Sequence, residues 1–343
     1  MTVQIKAYDP DNNGIGIYFG QYLNQKFAAF DNVAGVLSAD AAATGYAFVG
    51  ADGGGVVFNS ATGWKVDPAT GHVVGELSSI SFGQQITIAS DGTFIQTTEM
   101  QMSGLQISAA ELQQVFDQAS DGEFDYLYSS IRDGQFFVEG SSSKDSLVGG
   151  SGDSTIYGAA GDDRIYGRGT YEESDRLFGG DGNDKVVGGD GGDVIYGGNG
   201  DDRIYGKGGE DILKGGPGND YVYGGTGADK LYGDSGDDAL MGGRQEDRLY
   251  GGSGNDFLHG GSSPDTFIFQ KNAGRDTIAD FRPGKAGKDL IIFQGTDLHS
   301  FADVIDHAKD TPRGVVITYE EGTLLLGDVR LKQLDSHDFF FLN

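Results

Sequence analysis

Aspartate recurs at every ninth position over a long stretch of this chain. It stands at Asp175, Asp184, Asp193, Asp202, Asp211, Asp220, Asp229, Asp238, Asp247, Asp256 and Asp265. Asp145 and Asp163 extend the pattern upstream, with Ser154 in an aspartate's place between them and three additional residues within 168–174. Carboxylates repeated in this way can hold a hard cation. Neighbouring strands lie about 4.8 Å apart. Two carboxylates that close repel by roughly 1 kcal/mol even at the dielectric of water, and by more when partly buried. A divalent cation between them removes that repulsion. Ca²⁺ accepts about six to eight oxygens in flexible geometry, from carboxylates and from backbone carbonyls, whereas Mg²⁺ demands a tighter octahedron. Zn²⁺ is disfavoured, because the chain has no Cys and only His259 falls among the repeats.

The elements that position these carboxylates follow from the unit around each of them. Gly179-Gly180-Asp181-Gly182-Asn183-Asp184-Lys185-Val186-Val187 shows it: Gly-Gly-x-Gly-x-Asp-x-U-x, with U apolar. U is filled by Leu177, Val186, Ile195, Ile204, Leu213, Val222, Leu231, Leu240, Leu249, Leu258 and Phe267. The glycine-rich half forms a tight turn and exposes carbonyls, so Gly180, Gly182, Gly198, Gly200, Gly216 and Gly218 join the aspartates as candidate metal-site residues. The x-U-x half forms a short strand with U inward and flanks such as Arg203 and Tyr205 outward. One unit cannot bury its U residue alone, so units must stack. If alternate turns lie on opposite edges, 18 residues make one coil. Asp184, Asp202, Asp220, Asp238 and Asp256 then line one edge, and Asp175, Asp193, Asp211, Asp229, Asp247 and Asp265 the other. Gln245 and Ser263 replace a turn glycine, so those turns and the Ser154 turn are expected to bind calcium poorly.

Composition agrees with such an array. Of 343 residues 60 are Gly, and the formal net charge is −28. Collagen is excluded, since Pro is only 6 and Gly does not recur every third residue. Nucleic acid is excluded as a partner, because its phosphates would meet a surface of their own sign. No run approaches the ~18 apolar residues of a membrane helix, and residues 1–12 contain no apolar core of a secretory signal.

The nonapeptide run resembles the RTX repeats of secreted bacterial proteins. The resemblance implies a parallel β-roll over 141–268 that folds on meeting extracellular calcium. It also implies export by type I secretion machinery, and a secreted or cell-surface location. Residues 269–343 keep a β pattern in Thr277-Ile278-Ala279-Asp280-Phe281, Leu290-Ile291-Ile292-Phe293, Val315-Val316-Ile317-Thr318-Tyr319 and Thr323-Leu324-Leu325-Leu326. A short helix is predicted over 301–308, ending near Pro312. The order Asp-x-Ile-x-Asp-Phe-x-x-Gly from Asp276 to Gly284, followed by strand, helix and hairpin, resembles the cap of RTX proteases and lipases. Asp338-Phe339-Phe340-Phe341-Leu342-Asn343 resembles an export signal and equally reads as a strand that finishes the cap.

Residues 1–140 read as an α+β domain, an antiparallel sheet with helices. Helical spacing covers 18–30, and Ser108-Ala109-Ala110-Glu111 forms a capping box before Leu112, Val115 and Phe116. Strands are predicted at Val56-Val57-Phe58, His72-Val73-Val74, Ile80-Ser81-Phe82 and Ile86-Thr87-Ile88. Tyr22-Leu23-Asn24-Gln25, Gly75-Glu76-Leu77-Ser78-Ser79-Ile80-Ser81-Phe82-Gly83 and Ser103-Gly104-Leu105-Gln106-Ile107-Ser108 resemble the bacterial hemophore family, which implies capture of heme or of a hemophore receptor. That family holds heme iron between a His and a Tyr, with a second His beside the Tyr. Here 31–45 contains no His, and Trp64 stands near where the Tyr would fall. The heme candidates are therefore Tyr46, just past the first loop, and His72, at the helper position.

No zinc-protease motif, no Gly-x-Ser-x-Gly and no Cys nucleophile is present, so no enzyme is expected. The sequence thus predicts three parts: an α+β N-terminal domain, a calcium-bound parallel β-roll and a β-rich cap. Two functions fit them. One is a calcium-binding roll that carries a module for heme, another ligand or a receptor. The other is a calcium-dependent surface or matrix adhesin.

Overall fold

The computed structural model describes strand residues between 2 and 107 and residues 135–342, apart from 141, 143, 151, 285–287 and 321. It divides into two units, Met1–Ala160 and Gly161–Asn343.

In the second unit, successive repeats alternate between two parallel sheets. Arg176–Asp181, Val194–Asn199, Ile212–Pro217, Lys230–Ser235, Arg248–Ser253 and Thr266–Gln270 follow one another in the first sheet. Arg164–Arg168, Lys185–Asp190, Arg203–Gly208, Tyr221–Thr226, Ala239–Arg244 and Phe257–Ser262 build the second. Register advances by one full coil, as in Leu213↔Leu231↔Leu249. The U residues of both sheets, from Ile165 to Phe267, meet in one column with no exposed surface. Burying each such side chain contributes about 1.5–3 kcal/mol. That gain holds together a backbone whose turns carry almost no other apolar group.

The column ends in aromatic rings. Leu290–Gln294 extends the first sheet, and Phe339–Leu342 pairs parallel beyond it. Buried Phe293 stacks on Phe339 at 6.3 Å and meets the edge of Tyr319 at 5.4 Å. The second sheet continues through Arg275–Ile278 and Gly322–Gly327 into an antiparallel meander, Gly314–Tyr319 and Ala308–Thr311. Its final strand, absent from the expected set, starts one residue after the helix Phe301–Asp306 ends at its cap, His307. Ser300 begins that helix by accepting the Asp303 amide at 3.2 Å.

The expected fold class needs correction. The described residues are mostly parallel β-solenoid, and Phe301–Asp306 is the one α-helix among them. In the first unit, Thr2–Ala7 pairs antiparallel with Phe94–Ile107. On its other side it pairs parallel with Gln135–Glu139, which pairs parallel with Thr155–Ala160. Thr155–Ala160 is itself a repeat strand, with Ile156 at the U position. The edge of the N-terminal sheet therefore satisfies its backbone hydrogen bonds on a repeat strand of the same unit, in parallel and not in the antiparallel pairing expected. Gly45–Val49, Gly55–Asn59, Leu77–Ile88 and Phe94–Ile107 form a meander in this unit. The helices expected at 18–30 and 108–116 lie outside the described residues.

Candidate metal centre

Each repeat aspartate enters its strand from a turn and is almost wholly buried, at 0–3% exposure from Asp163 to Asp265. A carboxylate in such a place needs partners. One is supplied by the coil geometry. The backbone amide of each aspartate donates to Oδ1 of the aspartate one coil further on. On one edge the pairs are Asp163 to Asp184 at 2.7 Å, and Asp184 to Asp202, Asp202 to Asp220 and Asp220 to Asp238 at 2.8 Å. Asp238 to Asp256 follows at 2.9 Å. On the other edge, Asp175, Asp193, Asp211, Asp229, Asp247 and Asp265 form the same chain at 2.8–3.0 Å.

The other oxygen is left over. From Asp184 to Asp256, Oδ2 is buried and has no hydrogen-bond partner among the described residues. It faces the first glycine of its own turn. A methyl group on Gly197 would overlap Asp202 Oδ2 and stand 2.7 Å from the carbonyl oxygen of Gly215 in the next coil. On the opposite edge, Gly206 has the same relation to Asp211 Oδ2 and to the Gly224 carbonyl at 2.7 Å. A carboxylate oxygen and a carbonyl oxygen thus flank one point beside a residue without a side chain. The turn that makes this possible is strained for any other residue: Gly180, Gly182, Gly198, Gly200, Gly216 and Gly218 have φ between 114° and 142°.

Without a cation these carboxylates resist ionisation. Their pKa values are pushed up to about 6 at Asp184, Asp220, Asp229 and Asp256, and to about 7 at Asp193, Asp202, Asp238 and Asp265. They reach about 8 at Asp247 and about 9 at Asp211. Burial is the main cause, and neighbouring carboxylates add to it, while the backbone hydrogen bond opposes both. Among the described residues, no three carboxylate or imidazole side chains converge on one point. A cation here would have to draw on backbone carbonyls as well, which suits a hard ion.

Three features escaped the nine-residue count. Asp276 and Asp289 continue the two ladders after irregular spacings: Asp256 N donates to Asp276 Oδ1 and Asp265 N to Asp289 Oδ1, both at 3.0 Å. The signal for them was the Asp-x-U order kept in Asp276-Thr277-Ile278 and Asp289-Leu290-Ile291. The third is an exposed outer ladder along one edge. Asp162, Asn183, Asp201, Asn219, Asp237 and Asn255 accept and donate from coil to coil at 2.7–2.9 Å, with acid and amide in alternation.

The irregular turns find other partners. Ser154 Oγ accepts from Gly150 N at 3.1 Å, and Gln245 Oε1 accepts from Gly227 N at 3.0 Å. Gln245 and Ser263 still adopt the glycine conformation, at φ 74° and 82°. Of the heme candidates, only Tyr46 falls among the described residues. Tyr46 lies within Gly45–Val49, opposite Leu37 and Phe58. His72 and Trp64 lie outside the described residues.

The likeness to the apo hemophore HasA from Yersinia pestis covers 38% of this chain and 85% of that one, at 12% identity and a TM-score of 0.32. The extracellular lipase LipA from Serratia marcescens is covered over 40% of its length and matches 60% of this chain, at 19% identity and a TM-score of 0.27. Likenesses this distant carry no argument about ligand or activity. No curated protein matches the chain by sequence. The model for the RTX calcium-binding nonapeptide repeat matches residues 139–169, 171–204, 178–213, 196–231, 205–240 and 232–267. Within residues 139–267 the chain is an array of RTX calcium-binding nonapeptide repeats.

Proposed function

We propose that this chain is a secreted, non-enzymatic protein whose solenoid folds by taking up calcium along both aspartate ladders. The carrying observation is the row of buried Oδ2 atoms without hydrogen-bond partners. Asp184, Asp193, Asp202, Asp211, Asp220, Asp229, Asp238, Asp247 and Asp256 would hold the ions, together with turn carbonyls such as Gly215 and Gly224. Bound calcium supplies the positive charge that the ladder lacks. The protein's own part is to fix each carboxylate by its Oδ1 hydrogen bond and to keep a side chain out of the space beside it. Because the array is unfavourable without metal, metal-binding free energy becomes folding free energy. A chain that stays open where calcium is scarce and closes outside the cell suits export in an unfolded state, which supports the type I route.

The test is calcium withdrawal from the full chain. With a chelator, the parallel-β circular dichroism should fall and the radius measured by scattering should grow. Calcium should restore both, and equal magnesium should not. A chain that remains equally compact and equally β-rich in chelator would overturn the proposal.

A further inference from the structure

The two ladders end differently. On one edge, Asp256 and Asp276 both keep a buried Oδ2 without a hydrogen-bond partner among the described residues. On the other, Asp265 and Asp289 do not, because Arg282 reaches them. Arg282 lies on the connection between Arg275–Ile278 and Leu290–Gln294. Its Nη2 stands 3.3 Å from Asp265 Oδ2 and 3.0 Å from Asp289 Oδ1, and it donates to the Ser263 carbonyl. Its own backbone amide donates to Asp289 Oδ2 at 2.8 Å.

This set of oxygens has a clear counterpart. Asp265 and Asp289 are successive members of one ladder, as Asp229 and Asp247 are. Ser263 stands 18 residues after Gln245, which stands 18 after Gly227, at the same place in the turn. Arg282 thus contacts two stacked carboxylates and a turn carbonyl, the kinds of oxygen that the earlier turns offer to a cation. The two carboxylate side chains are 0% and 1% exposed. Carboxylates so deeply buried require a partner of opposite charge.

We propose that Arg282 is a tethered cation that replaces calcium in the last turn of this ladder, so that this step closes without metal. The inference rests on the reading that the ladders take calcium. Arginine is suited to the role. It is charged at every accessible pH, and its planar fork reaches several oxygens at once. Being part of the chain, it needs no capture from solution. In a solenoid each coil is stabilised mainly by its neighbours. A terminal coil that is complete before metal arrives gives the preceding coil a finished surface on which to stack.

Calcium counting by equilibrium dialysis of the full chain tests this. Arg282→Gln should bind one more calcium per chain than the unaltered protein, because the vacated turn becomes a site. An unchanged or smaller number would overturn the proposal. If neither protein binds calcium, the calcium reading itself falls, and this inference with it. Should Arg282→Gln fail to fold, hydrogen exchange of the unaltered chain in chelator decides. Thr266–Gln270 and Leu290–Gln294 should stay protected while Lys185–Asp190 and Arg203–Gly208 exchange. Equal exchange of all four strands would refute the tethered cation.

Discussion

The backbone amide of Asp202 donates to Oδ1 of Asp220, eighteen residues on, at 2.8 Å, and Asp220 Oδ2 is left buried without a hydrogen-bond partner. One carboxylate therefore does two separable things. One oxygen closes the backbone of the preceding coil, and the other would, on the function proposed above, hold a cation.

Two substitutions at this residue separate those roles. Asp220→Ala leaves the Asp202 amide unpaired, which costs about 1–3 kcal/mol in a buried place, and also removes a cation ligand. Asp220→Asn keeps an acceptor for the amide and removes only the charge. In saturating calcium, denaturant unfolding should show Asp220→Ala clearly less stable than Asp220→Asn. The calcium midpoint, followed by circular dichroism, should rise in both and rise further in Asp220→Ala. Equal stability of the two variants would mean that the inner hydrogen bond contributes nothing.

The raised carboxylate pKa values give the metal-free solenoid an unusual pH dependence. A group whose folded pKa lies above its unfolded value binds more protons when folded, so stability falls as pH rises. Here the unfolded value is 3.8, and the folded values run from about 6 at Asp184 to about 9 at Asp211. The contribution is fully present below about pH 4 and is lost progressively as pH climbs through 6 to 9. In chelator, β circular dichroism should therefore increase on acidification from pH 8 to pH 5. With calcium the direction reverses, because protons compete for the same oxygens, and the calcium midpoint should rise over the same acidification. A chelated chain whose signal is flat across this range would show that the ladder is not what opposes folding.

Much of the site was legible because period and geometry coincide. A nine-residue repeat with one apolar phase can bury that phase only by stacking, and stacking places the aspartates in two rows. The hydrogen bonds within the rows were not legible. They depend on the rise per coil, which brings Asp202 N to Asp220 Oδ1, and no local pattern encodes that distance. Arg282 was hidden for a similar reason: its partners are Asp289, seven residues ahead, and Asp265, seventeen behind, on two different coils. The N-terminal class was misread because Thr2–Ala7 was not recognised as a strand, and it is the strand that joins the antiparallel part of the sheet to a parallel one. Its second partner, Gln135–Glu139, is far away in sequence, and Gln135–Glu139 itself continues onto Thr155–Ala160.

Gly200 and Gly295 both have positive φ, at 124° and 66°, yet they should respond very differently to alanine. A methyl group at Gly200 would overlap the Gly182 carbonyl and stand 2.7 Å from its carbon. That carbonyl belongs to the backbone of the preceding coil and cannot move aside without opening the stack. At Gly295 nothing lies within 4 Å. Gly295→Ala should cost about 1–2 kcal/mol, the left-handed conformation alone. Gly200→Ala should cost more than about 4 kcal/mol, in the range reserved for steric conflict in a core. Thermal unfolding in calcium measures both. A Gly200→Ala chain as stable as Gly295→Ala would show that the coils are not packed at this spacing.

The outer ladder invites a test of its alternation. Asn219 N donates to Asp201 Oδ1 at 2.8 Å, and Asp237 N donates to Asn219 Oδ1 at 2.8 Å. Each acid is thus separated from the next by an amide, and Asn255 Nδ2 adds a bond to Asp237 at 2.8 Å. Asn219→Asp keeps every backbone acceptor in place and sets three carboxylates in a row. These side chains are exposed, so repulsion between adjacent members is of the order of 1 kcal/mol and is screened by salt. The variant should need more calcium to fold at low ionic strength and should recover most of the difference in ~0.5 M salt, where the screening length is only a few ångströms. The reciprocal change, Asp201→Asn, should lower the calcium requirement under the same conditions. If both variants fold at the unaltered calcium concentration in low salt, the alternation has no electrostatic role and reflects only the hydrogen bonds that acid and amide share.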